Sequence, residues 1–249
     1  MIETALVVPF FNHEAAIERT IDGLRSTGLR CWLVDDGSHA PSRPVIDRIA
    51  HREAAWLTVL RHPRNRGKGA AVVTGLRAAA AAGASHALQV DADGQHDLHD
   101  IPRLIERAAR SPAAIVTGVP VFDQSVPRAR LHGRQLTRLW VGINTWSWHI
   151  ADSMCGFRVY PLAPILRLLD AGRMGRHMEF DPEILVRAVW AGMEVIGVST
   201  RVAYPPGGVS HFHLLKDNMR ISAMHARLFF GMLVRAPILL ARTLRRVRA

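Results

Sequence analysis

His86–Ala87–Leu88–Gln89–Val90–Asp91–Ala92–Asp93–Gly94–Gln95–His96 is an apolar run that ends abruptly in two carboxylates, a glycine and an amide. The apolar half suits a buried strand, and strand alternation carries the chain out of the core at its end. At that exit the chain presents oxygen ligands. Asp91, Asp93 and Gln95 are two residues apart, so they converge only where the chain turns, and Gly94 permits the turn. All-oxygen ligation suits a hard divalent ion, Mg²⁺ or Mn²⁺, shared with the phosphates of a substrate.

Working outward, the same pattern recurs. Thr4–Pro9 reads as a buried strand followed by Phe10–Phe11–Asn12–His13–Glu14 and a helix with Ile17, Ile21 and Leu24 on one face. Arg30–Val34 is a second strand, ending in Asp35–Asp36–Gly37–Ser38, and Trp56–Leu60 is a third. Arg64–Asn65–Arg66–Gly67–Lys68–Gly69 opens an alanine-rich helix, and Ala114–Thr117 is a fifth strand. Short apolar strands alternating with helices predict an α/β fold, a mostly parallel open sheet with helices on both faces. In such a sheet ligands bind beyond the carboxyl ends of the strands, so three polar exits point to one crevice. After Val119 the rhythm breaks. Arg128–Trp148 reads as a helix, Asp152–Arg158 as an irregular polar loop, and Glu179–Trp190 as a helix. Glu194–Val198 and Val202–Tyr204 read as two short strands, Pro205–Gly208 as a loop, and the remainder as helix with a break at Pro237. The division expected is a catalytic domain over residues 1–210 and a basic amphipathic helical tail over 211–249.

With 249 residues, 49% hydrophobic and 21% charged, the chain can bury a sizeable core. Cys31 and Cys155 are the only cysteines and have no metal spacing, which points to a reducing, cytoplasmic compartment. No secretory signal is read at the N-terminus. The net charge of +11 is concentrated at the end, where Lys216 and seven arginines stand against Asp217 alone. Such a tail suits phosphate, either of nucleic acid or of an anionic membrane. Its apolar runs, Leu228–Phe230, Met232–Val234 and Ile238–Leu240, are too short to span a bilayer, so a helix lying in the interface is expected.

Several segments admit two readings. Asp35–Asp36 is a turn with a helix cap, or a site for a base or ribose. Gly67–Lys68–Gly69 is a tight turn, or a phosphate cradle at a helix start, though the full phosphate-loop pattern is absent. Glu179, Asp181 and Glu183 complement a helix macrodipole, or supply a general base. The histidines lack zinc spacing, and Cys155 has no base beside it.

Val7–Glu14, Val34–Ser38, Asn65–Gly69 and Asp91–His96 stand in the order that resembles family 2 glycosyltransferases of the GT-A fold. Asp152–Tyr160, with Gly156–Phe157–Arg158, resembles the matching segment of the polyprenyl-phosphate sugar synthases, the dolichyl-phosphate mannose synthase branch. The resemblance implies that Pro9, Phe10, Glu14 and Asp36, with Lys68 and Asp91 beside them, bind the nucleotide. It implies that Asp91, Asp93 and Gln95 surround the metal, and that Arg128, Arg130 and Arg134 meet an acceptor phosphate. Arg158 or Lys216 would assist the leaving diphosphate. The activity expected is inverting transfer of a hexose from a UDP- or GDP-sugar to a lipid-linked acceptor, on the cytoplasmic face of a membrane. Asp93 would be essential to turnover. A phosphate acceptor needs no base, whereas a hydroxyl acceptor would need Glu179 or Asp181. A nucleotidyltransferase would use the same metal and base pocket. A nucleic-acid-binding protein would use the tail but leaves the acidic strand exits unexplained, so no nucleic-acid partner is expected.

Overall fold

Successive side chains of β1 (Thr4–Phe10) divide between two apolar cores, as the two-residue strand period dictates. Ala5 and Val7 join one cluster, and Leu6, Val8 and Phe10 join the other. The computed structural model describes residues 2–122, 126, 128–203 and 213–248, without the side chains of 128–130, 214 and 243–248. Around β1 lie α1 (Glu14–Arg25), β2 (Cys31–Asp35), α2 (Ser42–Arg52), β3 (Leu57–Arg61), α3 (Lys68–Ala81) and β4 (His86–Gln89). Then follow α4 (Ile101–Arg110), β5 (Ile115–Phe122), α5 (Arg128–Thr145), β6 (Arg158–Pro161) and α6 (Leu162–Asp170). The chain closes with α7 (Phe180–Trp190), β7 (Val195–Val202) and α8 (Leu214–Arg248).

The strands form one seven-stranded sheet in the order β3-β2-β1-β4-β6-β5-β7. All neighbours pair in parallel except β6, which runs antiparallel to both β4 and β5. Helices α1, α2 and α4 cover one face through Ile17, Ile21, Leu24, Ile46, Ile49 and Leu104. Helices α3, α6 and α7 cover the other, with α5 and α8 layered beyond them. The mostly parallel open sheet expected from the sequence is therefore present.

Three local expectations are corrected. Arg158, assigned to a loop, begins β6, whose four residues are all buried. Both faces of that strand are covered, so it carries no polar alternation to read. The two short strands after residue 193 are one, β7, which pairs with β5 along its whole length. Tyr204 and the Pro205–Gly208 loop lie outside the described residues. Third, α8 runs unbroken through Pro237. By length and composition its stretch Leu215–Arg242, which holds an 18-residue window of mean hydropathy 1.4, is apolar enough to cross a membrane. The tail is thus apolar rather than plainly basic.

Part of that apolar surface faces inward. Ile221, Met224 and Leu228 belong to the cluster formed by Phe180, Ile184 and Val141, and α8 packs on α5 and α7. Leu228→Ala should therefore cost about 2–5 kcal/mol in urea unfolding. Val234→Ala, at a site 79% exposed, should change stability by less than about 0.5 kcal/mol. Equal effects at the two positions would mean that α8 does not pack as described.

Candidate functional site

The exits of β1, β2 and β4 open into one crevice of about 750 Å³, a size typical of small-molecule sites. Pro9, Phe10, Asp36, Lys68, Asp91, Asp93, Gln95 and Arg134 all line it. The structure thus gathers most of the residues singled out from sequence. Arg128 and Arg130 lie in the first turn of α5, and their side chains fall outside the described residues.

Asp36 organises the base of the crevice. Its Oδ1 accepts from the Arg66 N–H at 2.9 Å and lies 2.6 Å from His62 Nδ1, while Oδ2 accepts from the Gly67 N–H at 2.7 Å. The carboxylate therefore fastens the Asn65–Gly69 loop to the end of β2. Gly67 sits at φ 100°, a conformation that glycine adopts without strain. A Cβ there would also collide with the Arg176 carbonyl. Glu14, half-buried, accepts from the Ser42 hydroxyl and ties the β1 exit to α2 without lining the crevice.

Lys68 begins α3, as expected, but its ammonium is not directed at an open phosphate site. Nζ donates at 2.8 Å to Asp91 Oδ2 and at 2.8 Å to Asp181 Oδ2. Burial alone would push the ammonium down, and the two carboxylates outweigh it and hold the group above the ordinary lysine range. Burial likewise opposes ionisation of Asp91, and Lys68 together with His96 more than offsets it, so Asp91 is held well below the usual carboxylate range. Asp91 Oδ1 accepts from Gln89 Nε2 at 3.1 Å, which fixes its remaining oxygen. Gly156 lies so close that a Cβ would strike the Asp91 carboxylate.

Asp93 differs from its neighbours. Oδ1 accepts from the Gln95 N–H at 3.1 Å, closing the turn, and among the described residues Asp93 is the one crevice carboxylate without an ion pair. No three His, Cys, Asp or Glu side chains among the described residues converge as a protein-only metal centre would. A divalent ion at Asp91, Asp93 and Gln95 would complete its shell with phosphate oxygens and water. That suits an ion such as Mg²⁺, which keeps waters and substrate phosphates as ligands.

Three assignments need correction. Arg158 is 0% exposed and points away from the crevice. Its guanidinium donates to Thr117 Oγ1, the Ser153 carbonyl and the Asp181 carbonyl, so it braces β6 against α7. Asp181 sits behind Lys68 and does not line the crevice. Glu179 Oε1 turns back to accept the Arg176 and His177 N–H groups and closes the loop before α7. Neither carboxylate faces the crevice as a base must. Arg134 does face it, held by Asp152 at 2.5 Å and stacked over Phe122. Cys155 lines the crevice, with its thiol pushed up to about 12 by burial, then by Asp152, which agrees with its reading as no nucleophile.

The sequence reading missed His177 and Met178, which line the crevice from the loop before α7. The catalytic domain is expected to end at residue 210, ahead of the helical tail. In the structure Lys216, Asp217, Asn218 and Arg220, in the first turns of α8, form part of the wall. Asp217 accepts from the His213 N–H at 2.8 Å and caps the helix there. The clustered charge of Lys216–Arg220 was the available signal.

Residues 5–166 match the family model described as glycosyl transferase family 2. The UDP-N-acetylglucosamine–dolichyl-phosphate N-acetylglucosaminyltransferase of Methanococcus voltae is 23% identical over 196 residues, covering 73% of this chain and 78% of that protein. Two solved structures share the fold. Glucosyl-3-phosphoglycerate synthase from Mycobacterium tuberculosis, in complex with Mn²⁺, UDP and glucosyl-3-phosphoglycerate, superposes with a TM-score of 0.65 at 17% identity, covering 94% of this chain and 79% of that one. A mannosyltransferase from Pyrobaculum calidifontis, in complex with GDP-mannose and Mn²⁺, superposes with a TM-score of 0.62 at 19% identity, covering 97% and 69%.

Lys68→Met would remove the cation that stands between Asp91 and Asp181, which should cost about 3–5 kcal/mol at neutral pH. Asp91 has a depressed folded-state pKa, so its stabilising contribution is present above the unfolded value of about 3.9 and is lost as pH falls. The gap between wild type and variant in chemical denaturation should therefore be widest near neutrality and shrink below about pH 4. A gap independent of pH would contradict the ion-pair account.

Proposed function

Because this chain belongs to glycosyl transferase family 2, we propose that it is a metal-dependent, inverting enzyme moving a hexose from a UDP- or GDP-sugar to a polyprenyl phosphate. The observation that carries this reading is the paired exit of β4, where Asp91 and Asp93 stand with Gln95 over the crevice floor. These three residues would hold Mg²⁺ or Mn²⁺, which neutralises the departing diphosphate. The Mn²⁺ complexes of the two solved relatives support that use of a metal. Pro9, Phe10 and the loop fastened by Asp36 would hold the nucleoside.

A phosphate acceptor is favoured because neither carboxylate expected as a base lines the crevice. Transfer to a hydroxyl needs a base, and Glu179 and Asp181 are both turned into the protein. A phosphate oxygen is already anionic. It attacks the anomeric carbon of the hexose, the bond to the diphosphate breaks, and the electron pair leaves on the diphosphate oxygen. No proton has to move. Arg134 and Lys216, on the crevice wall, would meet the acceptor's charge, with Arg128 and Arg130 as further candidates from the same helix. The dolichyl-phosphate transferase among the relatives supports the same acceptor class. A lipid acceptor puts the reaction at a membrane, and a nucleotide-sugar donor puts it on the cytoplasmic face.

The test uses UDP- and GDP-hexoses with Mn²⁺, first by thermal shift and then by transfer to a polyprenyl phosphate. Asp93→Ala should lower turnover by about 100-fold or more, with a melting temperature within about 2 °C of wild type. Release of pyrophosphate in place of nucleoside diphosphate would identify a nucleotidyltransferase. Undiminished turnover of Asp93→Ala in chelator would remove the metal from the mechanism.

A further inference from the structure

Three arginines of α8 are not where a basic interfacial helix would put them. Arg227, Arg235 and Arg242 are eight and seven residues apart and share one flank of the helix. All three fold back on α7. Arg227 pairs with the buried Glu183 at 2.7 Å, Arg235 lies over the Trp190 ring at 4.6 Å, and Arg242 donates to the Trp190 carbonyl at 2.9 Å. The inner face carries Met224, Leu228, Met232 and Leu239, all buried. The outer face is left apolar and uncovered: Phe230 is 68% exposed, Val234 79% and Ile238 56%, with Pro237 between them exposed as well. Just beyond α5, Trp146, 40% exposed, reaches Met232 Sδ with its indole N–H, beside the half-exposed Leu233 of α8, and Trp148, two residues on, is 60% exposed.

We propose that this face, formed by Phe230, Val234, Pro237 and Ile238 of α8 with Trp146 and Trp148, rests on an anionic lipid bilayer. Contiguous exposed apolar surface marks a binding face. Tryptophan suits the boundary between lipid and water, where its ring is buried and its N–H is wet. The stretch Leu215–Arg242 is apolar enough for lipid. Its inner face is fixed to α5 and α7, so it lies along the membrane and does not cross it. Arg235 and Arg242, whose partners on α7 carry no charge, stand beside the apolar face at the level of the headgroups, where cations meet anionic lipid. A second copy of the chain is a poorer occupant. Pairing α8 with its twin would set arginine rows together, and among the described residues of α8 only Asp217, at the opposite end, is acidic.

The inference deepens the lipid-acceptor reading and rests on it only for the route of entry. The first turns of α8 line the crevice, with Leu215 and Met219 exposed beside them. A helix lying on the bilayer therefore sets the crevice mouth at the headgroup plane, within reach of a lipid-borne phosphate.

The experiment sediments the full-length protein with vesicles of phosphatidylcholine, with and without phosphatidylglycerol, and separately assays transfer. Wild type should bind the vesicles that contain phosphatidylglycerol. The double variant Val234→Glu/Ile238→Glu should bind them about tenfold more weakly or less, with an unchanged melting temperature and unchanged transfer to a short, water-soluble acceptor phosphate. Should that variant fold poorly, Trp148→Ser, on a different element, should show the same selective loss. Wild type that ignores anionic vesicles overturns the proposal, as do variants that bind as tightly as wild type. A wild-type dimer in light scattering that the double variant converts to monomer, without vesicle binding, assigns the face to self-association and overturns it as well. Vesicle binding with no transfer to polyprenyl phosphate upholds the docking face and overturns the acceptor reading.

Discussion

A lysine ammonium buried between two carboxylates is the constraint on which the rest of the crevice depends. Lys68 links α3 to the β4 exit through Asp91 and to α7 through Asp181. Removing three charges from water is expensive, and the arrangement is tolerated because each charge faces an opposite one. The Arg158 guanidinium adds a second cation near Asp181, 4.0 Å from its Oδ1. Two carboxylates and two cations thus form a charge-balanced group that runs from the crevice lining at Lys68 and Asp91 into the protein at Asp181 and Arg158. Its consequence is geometric. Asp91 is held ionised, with one oxygen on Lys68 and the other on Gln89, before any ligand arrives. A carboxylate fixed in this way loses little entropy on binding a ligand, which is what preorganised electrostatics requires.

The glycines beside this group follow from it. Lys68 reaches both carboxylates only because the preceding Gly67 takes a left-handed turn, and that turn is held by the Asp36 carboxylate. Asp36 was legible in the sequence as a functional acid at a strand end, yet its oxygens are taken up by loop amides and His62. In the proposed nucleotide site it would act mainly by shaping the loop. The same distinction separates Asp91 from Asp93. Both are two-apart acids in one exit, and sequence gives no sign that one is pinned by a lysine 23 residues away while the other is not.

The βα half of the fold was readable because strands β1 to β5 are apolar runs punctuated by polar exits. Strand β6 was not readable. It is four residues long, begins with an arginine, and follows an irregular loop. Only the tertiary structure supplies the Thr117 hydroxyl and the two carbonyls that let Arg158 be buried. Its antiparallel course inserts a strand between β4 and β5, which a strict βα count does not foresee. Pro237 misled in the opposite direction. Proline removes one ladder hydrogen bond, and the cost is lower on the exposed side of a helix that is already anchored along its inner face.

The tail shows why a charge count does not give an orientation. Seven arginines and a lysine in the last 34 residues suggest a polar face turned to solvent. Glu183, which belongs to α7 and is wholly buried, reverses that picture. It is paired with Arg187 of its own helix and still draws Arg227 from α8. The indole of Trp190 and the carbonyls at the end of α7 take up Arg235 and Arg242 in the same way, at the end of a helix where the macrodipole favours cations. With Arg227, Arg235 and Arg242 committed along one flank, the middle of α8 turns Phe230, Val234 and Ile238 outward. A helix that is apolar on two faces needs two partners. The domain provides one of them, and the first turns of the same helix then bring Lys216 to the wall of a crevice whose floor is acidic. Asp93, without an ion-pair partner among the described residues, is suited to a cation carrying a diphosphate, and Lys216 on the wall is suited to a free phosphate.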